Sequence, residues 1–146
     1  MKRLSIFAVF FATLAFASCG ILNSSSDSVA LGLGQTCGTA VAGLYKSYKN
    51  TGTIDLTNAN NLTNALALAT VYTQLKQNYD NSSYRKSFTT GLIGSSAGLI
   101  TNQNVSSFLN LFLASSSLAT VNNNSSSVQL NKTIPTYTNL MKSIDK

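Results

Sequence analysis

The chain has no histidine, no glutamate and no tryptophan. General acid–base pairs, triads and metal sites draw mainly on His, Glu, Asp and Cys, so these absences remove most of the usual equipment of catalysis. Beyond Cys19, that set leaves only Asp27, Asp55, Asp80, Asp145 and Cys37. No catalytic constellation, cofactor motif or metal-ligand spacing is built from them, so a non-enzymatic protein without cofactor or metal is expected. Charge is also sparse, with ten Lys and Arg against four Asp. Lys46, Lys49, Lys76, Arg85, Lys86, Lys132, Lys142 and Lys146 are scattered rather than striped, which argues against a nucleic-acid partner.

What the chain does have begins at its first residues. Lys2 and Arg3 precede an apolar run from Leu4 to Ala17, followed by small residues. Charge, apolar stretch and small residues are the layout of a secretory signal. Three endings compete. Ala15-Phe16-Ala17 is an A-x-A site that would release a chain beginning at Ser18; Phe16-Ala17-Ser18-Cys19 places a cysteine directly after small residues; and Leu4 to Leu22 uncut is nearly long enough to span a bilayer. The spanning reading is diluted by Ala, Ser, Cys and Gly and has no anchoring residue after Leu22.

Residues 1–22 resemble the signals of bacterial lipoproteins, with Phe16 standing where that pattern usually has Leu. The resemblance implies cleavage before Cys19 and lipid attachment to its thiol, so that acyl chains hold the protein at a membrane. No Asp follows the cysteine directly and no acidic run follows it. By the same resemblance, this favours the outer membrane, facing the periplasm, over inner-membrane retention or surface export. Residues 1–18 are then the signal, 19–28 the lipidated cysteine with a flexible Asn/Ser tether, and 29–146 a single domain. Acylation of Cys19 leaves Cys37 without a partner, and no disulfide is expected; cleavage after Ala17 would leave the two cysteines free to pair.

Within the domain, Leu33, Cys37, Ala40, Val41, Leu44 and Tyr48 follow the three-and-four spacing of one helical face, predicting a helix over 29–50 that stops at Gly52. Thr57 or Asn58 caps a second helix to about Asn78, with Ala65, Leu68, Tyr72, Leu75 and Tyr79 as its seam. A third is expected from Ser83 to Thr101 and a fourth from Asn104 to about Leu118. A last, short helix has Pro135 in its first turn. TIDL and VQLNKTI alternate weakly and are candidates for two short paired strands. The expected fold is a mostly α bundle of four to five helices. Glycine inside a helix costs about 1 kcal/mol relative to alanine, so Gly34 and Gly38 are expected to permit close approach to Gly94 and Gly98.

Two further features bear on function. Asp27-Ser28-Val29 resembles the Asp-Ser/Thr-aliphatic acceptor of protein O-glycosylation in Bacteroidota, which would place a glycan on Ser28. Tyr45, Tyr48, Tyr72 and Tyr79 are candidates for a ligand groove, although tyrosines of a bundle more often pack with their hydroxyls at its rim. In composition the whole chain is similar to small envelope lipoproteins of Bacteroidota, which implies a place in the envelope without a named activity. The expectation is a structural or interaction module with an envelope protein or glycan as partner; the alternative is a glycan- or peptide-binding lipoprotein using the tyrosine groove.

Overall fold

The computed structural model describes residues 26–122 and 127–146. Among the described residues five α-helices follow one another: α1 (Ser26–Thr51), α2 (Ala59–Asn78), α3 (Ser82–Ser95), α4 (Val105–Ala114) and, after a 3-10 segment at Ser116–Asn122, α5 (Ser127–Ile144). There is no strand among the described residues. The signal segment, Cys19 and the first part of the tether lie outside them. Residues 26–28, expected in the tether, form the first turn of α1.

The helix limits follow from local chemistry. Gly52 adopts φ +76° and returns its N–H to the Tyr48 carbonyl at 2.7 Å, ending α1 with a left-handed residue that only glycine adopts without strain. Asn58 caps α2, its side chain accepting from the N–H groups of Asn60 and Asn61. Asn81 does the same for α3 through Ser83 and Tyr84. α3 stops at Ser95, six residues before the expected end, because Ala97 (φ 54°) and Gly98 (φ 80°) turn the chain out of the helical region. The Ser96 hydroxyl then accepts from the Ile100 N–H at 3.0 Å and closes the turn. α4 ends at Ala114 rather than near Leu118, and the 3-10 segment carries Leu118 into the core.

The expected strands are absent for different reasons. In TIDL, Ile54 and Leu56 are buried while Asp55 is exposed, so a strand-like alternation arises from an extended connector that inserts two side chains into the core. Asp55 accepts from the Thr57 N–H and hydroxyl at 2.9 and 2.7 Å, which folds that connector into a turn and holds the carboxyl below its ordinary range. VQLNKTI lies wholly within α5, so Pro135 sits mid-helix instead of at its start. There it supplies no N–H to the Asn131 carbonyl, a local loss that α5 tolerates.

The helices pack around one core whose largest fully buried side chains include Tyr137, Phe88, Phe112, Leu44 and Leu68. Going along α1, Asp27 meets Ser83, Gly34 meets Phe88, and Gly38 meets Leu92 and Ser95, so α1 and α3 run parallel. By contrast Gly43 meets Asn64 while Ser47 meets Asn61, so α2 runs antiparallel to α1. The α1–α3 contact is the close approach that the glycines imply, with a corrected partner. A Cβ on Gly34 would overlap the Phe88 carbonyl, and one on Gly91 would overlap that of Leu31. Gly94 and Gly98 have open space instead. Gly91 falls one helical turn from Phe88 and faces α1; Gly94 is rotated away from it.

Candidate functional site

α3 has two faces. Tyr84, Phe88, Gly91 and Leu92 are buried against the bundle. Arg85, Lys86, Thr89, Thr90 and Ile93 recur at the same three-and-four spacing on another side. α4 brings Val105, Ser106, Leu109 and Asn110 opposite them, again one helical stripe. The space between the two helices is an open groove of about 630 Å³, lined also by Tyr79, Ser82 and Asn102. That size lies in the range of small-ligand sites.

The groove carries two cations and no acidic side chain. Arg85 is half-buried and preset: Nη1 donates to the Tyr79 carbonyl at 3.0 Å, and the guanidinium lies 5.2 Å from the centre of the Tyr79 ring. Lys86 is exposed. Thr89 and Thr90 donate back to the carbonyls of Arg85 and Lys86 at 2.8 and 3.0 Å, so their hydroxyls are left chiefly as acceptors. The connector that spaces α3 from α4 is pinned by Asn104. Its side chain accepts from the Thr101 N–H at 2.8 Å and donates to the Leu99 carbonyl at 2.9 Å, and makes no cap to α4.

The four candidate tyrosines do not share one groove. Tyr45 and Tyr48 pair at 6.3 Å near the end of α1, where the start of α2 packs. Tyr79 stands 18 residues after Asn61, about 27 Å along a helix at 1.5 Å per residue, at the opposite end of the bundle. Tyr72 is 4% exposed, its ring edge-on to Phe112 and its hydroxyl donating to the Leu113 carbonyl at 3.4 Å. Only Tyr79 of the four lines the groove. A helix-period seam placed Tyr72 and Tyr79 on one face of α2; the antiparallel turn then sent Tyr45 and Tyr48 away from them.

At the other end, Tyr45, Lys49 and Asp145 form an exposed cluster. The Tyr45 hydroxyl donates to Asp145 Oδ1 in a short hydrogen bond, and Lys49 Nζ lies 3.4 Å from the same oxygen. These contacts hold the Asp145 carboxyl below its ordinary range and raise both Tyr45 and Lys49 above theirs. Cys37 is a free, fully buried thiol that burial pushes far above its ordinary pKa. Ser28 is exposed on the first turn of α1. Asp80 is exposed in the turn before α3 and does not line the groove. Among the described residues no group of His, Cys, Asp or Glu could hold a metal ion, and no helix is long and apolar enough to cross a membrane.

No protein family matches this chain, and neither curated proteins nor solved structures resemble it significantly. Arg85 and Lys86 escaped the sequence reading because adjacent cations on a polar helical face look like ordinary solvated surface. Their spacing to Thr89, Thr90 and Ile93, opposite the Tyr84–Phe88–Leu92 stripe, was the available signal.

Proposed function

We propose that the protein is a non-catalytic lipoprotein of the bacterial envelope, held by acyl chains on Cys19 to the outer membrane and facing the periplasm. Its helical domain would serve as a structural or protein-interaction module. The observation that carries this reading is the sequence Phe16-Ala17-Ser18-Cys19 at the end of a basic-then-apolar leader. The position of the domain agrees with it. Ser26, the first described residue of α1, lies seven residues after Cys19, a span of at most about 25 Å, so the bundle would sit near the lipid surface.

Intact-mass measurement of membrane-extracted protein, with Cys19→Ala as control, tests the reading. A mature chain beginning at Cys19 and carrying acyl mass, lost in the variant, supports it. A chain beginning at Ser18 without acyl mass ends it. The same spectrum reads the proposed glycan, as a hexose-scale increment removed by Ser28→Ala. A second reading, a binding module for a glycan or peptide, is favoured by one observation: the open groove beside Tyr79 and Arg85.

A further inference from the structure

We infer that the α3–α4 groove binds a phosphate monoester joined to an apolar segment, with the phosphate at Arg85 and Lys86. The inference gives the ligand-binding reading a chemical class and does not depend on acylation of Cys19. Three observations lead to it. First, the groove concentrates two positive charges without an acidic neighbour on its walls, in a chain whose cations are otherwise scattered. A phosphate monoester carries about −1.5 to −2 at pH 7 and matches that pair in magnitude as well as sign. Second, Arg85 is held in place before any ligand arrives, by the Tyr79 carbonyl and ring, so little side-chain entropy is lost when its remaining N–H donors engage phosphate oxygens. The Lys86 ammonium and the Asn110 side-chain amide are exposed and make no side-chain hydrogen bond among the described residues, so both are available to the ligand. Third, the same groove offers the half-buried side chain of Ile93, two turns along α3 from Arg85 and about 12 Å away at helical rise, with Val105 and Leu109 of α4 forming the core behind it. A bare anion would leave the exposed part of Ile93 uncovered; an amphiphile covers both it and the cations.

The ligand could be a free organic phosphate or the phosphomonoester head of a lipid, and one experiment separates them. Full-length protein in phosphatidylcholine nanodiscs is titrated calorimetrically with hexyl phosphate, inorganic phosphate and hexyl glucoside, with empty nanodiscs subtracted. Saturable binding of hexyl phosphate is expected, at least tenfold tighter than either control and weakened by salt. Lys86→Gln and Asn110→Asp, both exposed and fold-neutral, should each weaken it about tenfold or more, the second by placing an anion in the groove. Hydrogen exchange over residues 82–93 and 105–110 then identifies the source. Protection in discs doped with phosphatidic acid alone assigns a lipid, and protection only with hexyl phosphate assigns a free phosphate. Absence of saturable binding, equal affinity for hexyl glucoside, or indifference to both substitutions would overturn the proposal. An anchored protein that fails this test keeps its anchor, and an unacylated one that passes it keeps its ligand.

Discussion

Replacing Gly91 by alanine sets two known effects against each other at one position. Alanine is the better helix former by about 1 kcal/mol, so in an open site the change would stabilise. At Gly91 the new methyl group would overlap the Leu31 carbonyl, with the Gln35 nitrogen at 2.9 Å and the Gly34 carbonyl carbon at 3.2 Å. Carbon contacts are most favourable at about 3.5–4.0 Å. All three obstacles are backbone, so no rotamer change relieves them, and α1 and α3 must separate along a contact that includes Gly34, Gly38, Phe88 and Leu92. Overpacking of this kind costs about 1–3 kcal/mol, and a backbone-on-backbone clash belongs at the upper end. The net expectation is a loss of about 1–2 kcal/mol. Gly94→Ala is the internal control: same helix, three residues on, exposed, with nothing within 4 Å of the added carbon. It should gain about 0.5–1 kcal/mol. Urea titration followed by helical circular dichroism measures both, and with a slope of about 1–3 kcal/mol per molar the midpoints should move in opposite directions, that of Gly91→Ala by up to about 2 M. Equal midpoints for the two variants would refute the close-approach account.

Tyr84 and Tyr137 are both buried, but the Tyr137 hydroxyl donates to the Ala65 carbonyl at 2.9 Å whereas that of Tyr84 has no partner among the described residues. Tyr137→Phe should lower the unfolding free energy from urea titration by about 1 kcal/mol and Tyr84→Phe should leave it unchanged or raise it. The Tyr45–Lys49–Asp145 cluster should give a two-ended pH profile. Asp145, with its folded pKa depressed, contributes stability above the ordinary carboxylate value of about 3.9 that is lost as pH falls further. Tyr45 and Lys49, with raised values, contribute stability below about pH 10 that is lost as pH climbs through them. Asp145→Asn should flatten both ends of a thermal-melt series across pH. Finally, Cys37 should resist maleimide in native Cys19→Ala protein and react on unfolding; labelling under native conditions would contradict its burial.

Helices were legible where the apolar stripe was regular and its ends carried residues with a local hydrogen-bonding reason to stop. The stripe through Cys37, Val41 and Leu44 lies in the core, and Gly52 and Asn58 do what their chemistry suggested. Two kinds of information were not local. A buried alternation such as Ile54–Leu56 looks the same in a strand and in a connector, because only the presence of a neighbouring strand distinguishes them. Pro135 fits a helix start by every local rule, yet tertiary packing of Tyr137, Leu140 and Met141 carries α5 through it. The groove belongs to a third kind. Its walls are chiefly polar faces of two helices, and what makes them a site is the gap between α3 and α4, set by the Ala97–Gly98 turn and Asn104.

The parallel α1–α3 pair also connects the two proposals. The Ser83 hydroxyl donates to the Asp27 carboxylate at 2.8 Å, so the beginning of α3 lies beside the beginning of α1. Arg85 and Lys86 follow within one turn of Ser83, which puts the charged part of the groove at the end of the bundle where the chain arrives from Cys19. If Cys19 is acylated, the short span to Ser26 keeps that end within about 25 Å of the bilayer. Ile93 lies about 15 Å farther along α3 from Ser83. A lipid phosphomonoester reaching the groove would then meet the cations first, and anionic lipid would raise its local concentration there through the same two charges. The proposed anchor and the proposed ligand site would therefore be independent in chemistry but coupled in geometry. Lengthening the 20–25 segment should leave hexyl phosphate affinity unchanged while weakening any groove protection that comes from the membrane.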